Sequence, residues 1–172
     1  MLLRATSLVD THAIATALAG VARPGDIIVL AGEMGAGKTA FAQGFGRALG
    51  VTEPITSPTF TIVHSYACPG KLTLHHADLY RLESLADVGE LALAELAEFD
   101  GIVLVEWGDV AAGGLGDHLE VRLERDDDDP AAPDDGAGFG LDERRLIDIE
   151  AHGRSWAGRW DRLTAAVEAF RC

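Results

Sequence analysis

The chain has 172 residues and a mass of 18.2 kDa, about one domain, enough to take roughly 70% of its unfolded surface out of water without staples. It is 48% hydrophobic and 24% charged, with mean hydropathy +0.12, the composition of an ordinary globular protein. Fourteen basic residues against twenty-eight acidic ones leave a net charge of -14 and a pI near 4.6, which argues against a chain that grips nucleic acid or anionic membrane by itself. Two cysteines, Cys68 and Cys172, are too few for a disulfide framework and favour a reducing compartment. The first residues carry no basic region followed by a long apolar stretch, and no apolar run is long enough to span a bilayer. The expectation is one cytoplasmic domain over residues 1–172.

In chain order, Leu8 to Val21 carries apolar residues at helical spacing behind the cap candidates Ser7 and Asp10. Asp26 to Ala31 is a continuous apolar run of the kind a strand buried on both faces shows. A glycine-rich turn leads into a second helical stretch, Lys38 to Leu49, closed by Gly50. Phe60 to Tyr66 and Leu72 to Ala77 read as strands joined at Cys68-Pro69-Gly70-Lys71. Leu91 to Phe99 reads as a helix and Gly101 to Glu106 as another buried strand. Leu119 to Leu123 and Leu146 to Ala151 alternate as half-wet strands do, and the acidic segment 126–140 between them has no apolar period, so it reads as a flexible loop. Trp156, Trp160, Leu163, Val167 and Phe170 fall at steps of three or four, predicting an amphipathic helix over 155–171. These elements predict an α/β fold: a central mixed sheet with a parallel P-loop core, helices on both faces and an antiparallel hairpin beside the site.

Gly32-Glu33-Met34-Gly35-Ala36-Gly37-Lys38-Thr39 matches G-x-x-x-x-G-K-[ST], with a strand before it and a helix after it. The glycines let backbone N–H groups turn inward around a phosphate at the positive end of a helix. Lys38 reaches the β- and γ-phosphates, and the Thr39 hydroxyl suits Mg²⁺. With no asparagine anywhere, a guanine-reading N-K-x-D element is impossible, which leaves ATP as the default nucleotide. The single glutamine, Gln43, lies on the helix after the loop, so no later glutamine can position water. Two carboxylates end strands where a metal partner belongs, Asp78 and Glu106, and strand context alone does not choose between them. His64, His75 and His76 lie near Asp78 without ligand-like spacing, so a zinc site there is rejected. Ser57-Pro58-Thr59-Phe60-Thr61 is either a switch that senses the γ-phosphate or a plain entry into a strand.

The P-loop, then Ser57-Pro58-Thr59-Phe60, then His76-Ala77-Asp78-Leu79-Tyr80-Arg81, then Val105-Glu106-Trp107 together resemble the TsaE family, bacterial P-loop ATPases of tRNA threonylcarbamoyladenosine synthesis. The resemblance runs from about Leu8 to Arg125, plus the strand near Ile147. It implies that Gly35, Ala36, Gly37, Lys38, Thr39 and Ala40 bind the phosphates, and that Thr39 and Glu106 hold Mg²⁺. It further implies that Asp78 acts in the site with Lys38 and Glu106, either supporting the metal indirectly or positioning water, that Ser57 and Thr59 form the switch, that Trp107 lies near the nucleotide and that Thr11 borders the base. Its implied partners are the threonylcarbamoyl transferase subunit and its paralogous companion, with no stable nucleic-acid contact of its own. Glu33-Met34 and Gly108-Asp109 depart from the family pattern, at positions that mainly offer backbone or follow the shared motif. Alternatives are a small-molecule P-loop kinase, disfavoured by the lack of a lid of arginines, and a non-catalytic nucleotide-sensing adaptor.

Overall fold

A computed structural model describes residues 1–58, 62–80, 92–107, 115–126 and 144–172. Seven strands form one sheet: β1 (Leu2–Ala5), β2 (Ile27–Ala31), β3 (Val63–Ala67), β4 (Thr73–Asp78), β5 (Gly101–Glu106), β6 (His118–Arg125) and β7 (Arg145–His152). Their order is β1-β7-β6-β2-β5-β4-β3. The four central strands β6, β2, β5 and β4 run parallel, while β3 pairs antiparallel with β4, and β7 with both β6 and β1. The mixed sheet, parallel core and antiparallel hairpin agree with the sequence reading.

The apolar runs of β2 and β5 are buried on both faces because each side of the sheet has its own core. Ile28, Leu30, Ile102 and Leu104 pack on one side with α1 (Leu8–Ala19), α2 (Lys38–Ala48) and Leu163 of α4 (Trp160–Ala166). Ile27, Val29, Val103 and Val105 pack on the other with Leu93 and Ala97 of α3 (Leu93–Ala97). Ser7 caps α1 by accepting from the Asp10 N–H, and the Asp10 carboxylate reaches back to the backbone N–H and hydroxyl of Thr6. Those bonds, the Thr6 hydroxyl foremost, hold the Asp10 carboxyl below its usual range. Where α1 meets α2, a Cβ on Gly44 would come within 2.9 Å of the His12 Cα, so glycine lets the helix axes close.

Four readings shift. The short β1 exists through its pairing with β7, a long-range partner that no local pattern announces. The helix expected over 91–99 is only Leu93–Ala97, because Ala92 and then Phe99 and Asp100 take left-handed backbone and turn the chain into β5. The helix expected over 155–171 is broken into a 3₁₀ turn at Ala157–Arg159, α4, and a second 3₁₀ turn at Glu168–Phe170. Asp126, read with the solvated acidic loop, is buried and ion-paired to Arg4 at 2.8 Å. The rest of that loop to residue 140, Leu91, and Phe60 and Thr61 of the expected strand Phe60 to Tyr66 lie outside the described residues. Among the described residues no helix is long and apolar enough to cross a membrane.

Candidate nucleotide site

The parallel strands point their C-terminal ends at one edge of the sheet, and the P-loop leaves β2 there. Gly35 and Gly37 hold φ of 80° and 105°, backbone that side chains with a Cβ rarely adopt. Gly37 is the N-cap of α2 and supplies no side-chain cap, and the first-turn residues Lys38, Thr39 and Ala40 line the cleft. Room is also limiting: a Cβ on Gly35 would sit 3.0 Å from an Arg125 guanidinium nitrogen.

Lys38 is buried, and its ammonium donates to the carbonyls of Gly32 and Glu33 at 2.7 and 2.8 Å. The same ammonium lies 3.7 Å from the centre of the Trp107 ring. Trp107 reaches that position because its backbone turns left-handed (φ 61°) directly after β5, while its N–H still donates to Leu30. Tyr80 packs its ring against the indole at 5.0 Å between centroids.

The two candidate carboxylates separate by their partners. The Thr39 hydroxyl donates to Glu106 Oε1 at 3.0 Å, and the buried His76 Nε2 donates to the same oxygen at 3.0 Å. Asp78, one strand over and in register with Glu106, accepts from the Ser57 hydroxyl at 2.8 Å and from the Tyr80 N–H at 2.9 Å. Glu106 is therefore the carboxylate beside the P-loop threonine. Asp78 is tied to the Ser57 segment across the cleft.

A cleft of about 340 Å³ gathers Gly35, Gly37, Lys38, Thr39, Ala40, Ser57, Asp78, Glu106 and Trp107 from the sequence-based set. Ala36 lies beneath the loop and lines the adjoining recess. Thr11 is not among the residues lining either cavity: it is buried on α1, with its hydroxyl on the Ser7 carbonyl. Thr59, Arg81, Gly108 and Asp109 lie outside the described residues. The three hairpin histidines have separate lives, His64 stacked on Tyr66, His75 bonded to Ser65 and His76 on Glu106.

The sequence reading missed His76 as a support of Glu106. It also missed Arg125 and Arg145 on the far wall of the loop, where Arg145 Nε donates to the Ala36 carbonyl at 2.8 Å. The pairing of β6 with β2, and of β7 with β6, brings those arginines to the P-loop, so spacing along the chain carries no signal of them.

Residues 5–132 match the family model described as "Threonylcarbamoyl adenosine biosynthesis protein TsaE". The chain belongs to the TsaE family. It is 41% identical over 121 residues to the Bacillus subtilis "tRNA threonylcarbamoyladenosine biosynthesis protein TsaE", covering 70% of this chain and 75% of that one. The Streptomyces coelicolor protein of the same name is 36% identical over 142 residues, covering 81% and 89%. The crystal structure of Bacillus subtilis YdiB superposes with a TM-score of 0.69 at 30% identity, covering 96% of this TsaE-family chain and 94% of YdiB. The match along nearly the full length extends the likeness past the motif-bearing segments to the β6–β7 pair and the C-terminal turns.

Proposed function

We propose that this TsaE-family protein binds ATP with Mg²⁺ at the P-loop and hydrolyses it in the service of tRNA threonylcarbamoyladenosine synthesis, acting on the threonylcarbamoyl transferase subunit and its paralogous companion. The carrying observation is the Thr39–Glu106 contact: a P-loop hydroxyl and a strand-end carboxylate meet at 3.0 Å beside a helix N-terminus whose cap residue is a glycine. Both are hard oxygen donors of the kind Mg²⁺ takes, and they are the residues that would hold it. When bound, Mg²⁺ neutralises charge on the β- and γ-phosphate oxygens.

The chain's own groups divide the remaining work. The amides of Gly35 to Ala40 cradle the phosphates, and the Lys38 ammonium moves its donors from two backbone carbonyls toward phosphate oxygens. His76 holds the Glu106 carboxylate in place from behind. Asp78, oriented by Ser57 and the Tyr80 N–H, positions the attacking water, and its bond to Ser57 couples that carboxylate to the 57–59 switch. Trp107 lies beside the nucleotide and helps shield the phosphates.

With no glutamine beyond Gln43, the site should turn over slowly alone and faster when its partner orders the switch or delivers a charge. Phosphate release, measured on the chain alone and with the transferase complex added, tests this. The expected result is slow release that the complex accelerates, with no phosphorylated acceptor. Release at many turnovers per second by the chain alone, unchanged by the complex, overturns it.

A further inference from the structure

We propose that His118, Glu120 and His152 form a binding site for a divalent transition-metal ion of the zinc class, separate from the nucleotide site. The antiparallel register sets His118 of β6 opposite His152 of β7, and the period of two along β6 puts Glu120 on the same face. One ligand atom from each lies within 4.8 Å of the other two.

The hydrogen bonds prepare these atoms for a cation. His118 is 3% exposed, and its Nδ1 donates to the Gly116 carbonyl at 2.8 Å. That bond puts the proton on Nδ1 and leaves Nε2 as a bare lone pair, the arrangement metal-binding histidines use. His118 Nε2 is buried and has no hydrogen-bond partner, and the same is true of His152 Nε2. The two rings stack at 4.5 Å between centroids and 15° between planes, which brings both Nε2 atoms into one small region, and the rings must rotate out of the stack to aim at one ion.

Glu120 completes the set. Arg122 holds its Oε1 at 2.8 Å, which fixes the carboxylate. Its Oε2 lies 3.8 Å from His152 Nε2, too long for a hydrogen bond. Two ligands on one tetrahedral zinc stand about 3.4 Å apart, so side-chain rotations that unstack the two imidazoles close the site. Two imidazoles and one carboxylate oxygen select a borderline ion such as Zn²⁺ over Mg²⁺, which prefers six oxygens. A fourth position stays open to water.

The site is remote from ATP chemistry. Leu119 pairs with Ile28, so His118 lies level with the start of β2, whereas the P-loop begins at its end, roughly 16 Å away at 3.3 Å per residue. A bound ion would pin the start of β6 to the end of β7 and stabilise the fold by mass action.

The test uses the full, tag-free, nucleotide-free chain titrated with Co²⁺ and then Zn²⁺. One equivalent of Co²⁺ should give the intense visible absorption of a four-coordinate site without a sulfur-to-cobalt band. Zn²⁺ should displace it and raise the melting temperature, and excess Mg²⁺ should not compete. His152→Ala and Glu120→Gln, both at partly exposed positions, should each weaken uptake at least ~10-fold while melting near the wild type without metal. Glu106→Gln should keep the cobalt signature. No one-equivalent uptake, a pale six-coordinate spectrum, or wild-type affinity in both His152→Ala and Glu120→Gln overturns the proposal.

Discussion

Two carboxylates are buried at opposite ends of the parallel strands, and their partners could hardly differ more. Asp26, just before β2, receives both arms of Arg159 at 2.6 and 2.7 Å. That guanidinium also donates to the carbonyls of Val21 and Ser155 and lies 4.0 Å from the Trp156 ring. Charge and geometry are matched one to one, and the result clamps the C-terminal turns to the start of β2. Glu106, at the far end of β5, is held by an imidazole and a threonine hydroxyl on Oε1, with the same hydroxyl 3.4 Å from Oε2. The first carboxylate is finished by its own chain. The second receives a hydroxyl and an imidazole where Asp26 receives a guanidinium, which suits the metal-holding role proposed for it.

The contrast is best broken by removing each partner in turn. Arg159→Ala leaves Asp26 buried without its cation, and the expected cost is about 3–5 kcal/mol of stability. At roughly 2–4 °C per kcal/mol for a chain of this size, calorimetry should record a melting point lower by about 6–20 °C. Replacing both partners, as Asp26→Asn with Arg159→Met, should cost less than the single change, because no lone charge remains. ATP binding measured below the melt should survive both variants.

Disturbing the other end should do the reverse. Lys38→Ala, and separately Glu106→Gln, should lower turnover with the partner complex by roughly 10²–10³-fold, the loss typical of one preorganised electrostatic group. Their melting points should stay close to wild type. If Glu106→Gln unfolds instead, the two carboxylates are doing the same structural job.

A smaller effect sharpens the picture around Trp107. A variant carrying Trp107 but not Trp156 or Trp160 should change its emission on saturation with Mg·ATP, because the Lys38 ammonium against the indole moves toward phosphate. An unchanged spectrum would put the end of β5 away from the nucleotide.

The smallest effect is a pH dependence from the α1–α2 contact. Burial, aided by the nearby Arg47 charge, pushes the His12 imidazole below its ordinary value of 6.5. A depressed folded value for a base means that the unfolded chain takes up the proton first. The stability is therefore intact above about pH 6.5 and falls as the pH drops below it, down to the folded value. His12→Gln should flatten that part of a denaturation profile recorded between about pH 7 and 5.

What the sequence disclosed depended on how local its cause was. The P-loop, β2 and α2 were legible because strand, turn and helix are consecutive and each has its own pattern. Gly37 and Lys38 needed no distant partner to be recognised. Asp78 and Glu106 were equivalent by strand context, since both end strands; the family resemblance alone favoured Glu106, and in the structure the approach of Thr39 separates them. Arg145 and His118 were invisible for the same reason, as their neighbours are set by the register of β6 and β7. The C-terminal apolar spacing overstated helix length because Arg159 draws the backbone into a 3₁₀ turn to reach Val21 and Asp26.

Holding Mg²⁺ beside Thr39 is the role proposed for Glu106. Calorimetric titration of ATP into the wild type and into Glu106→Gln, each with Mg²⁺ and with the metal chelated, measures that link. The wild type should bind ATP markedly more tightly with Mg²⁺, and Glu106→Gln should lose most of that difference while keeping its metal-free affinity. An unchanged Mg²⁺ dependence in Glu106→Gln would contradict the assignment.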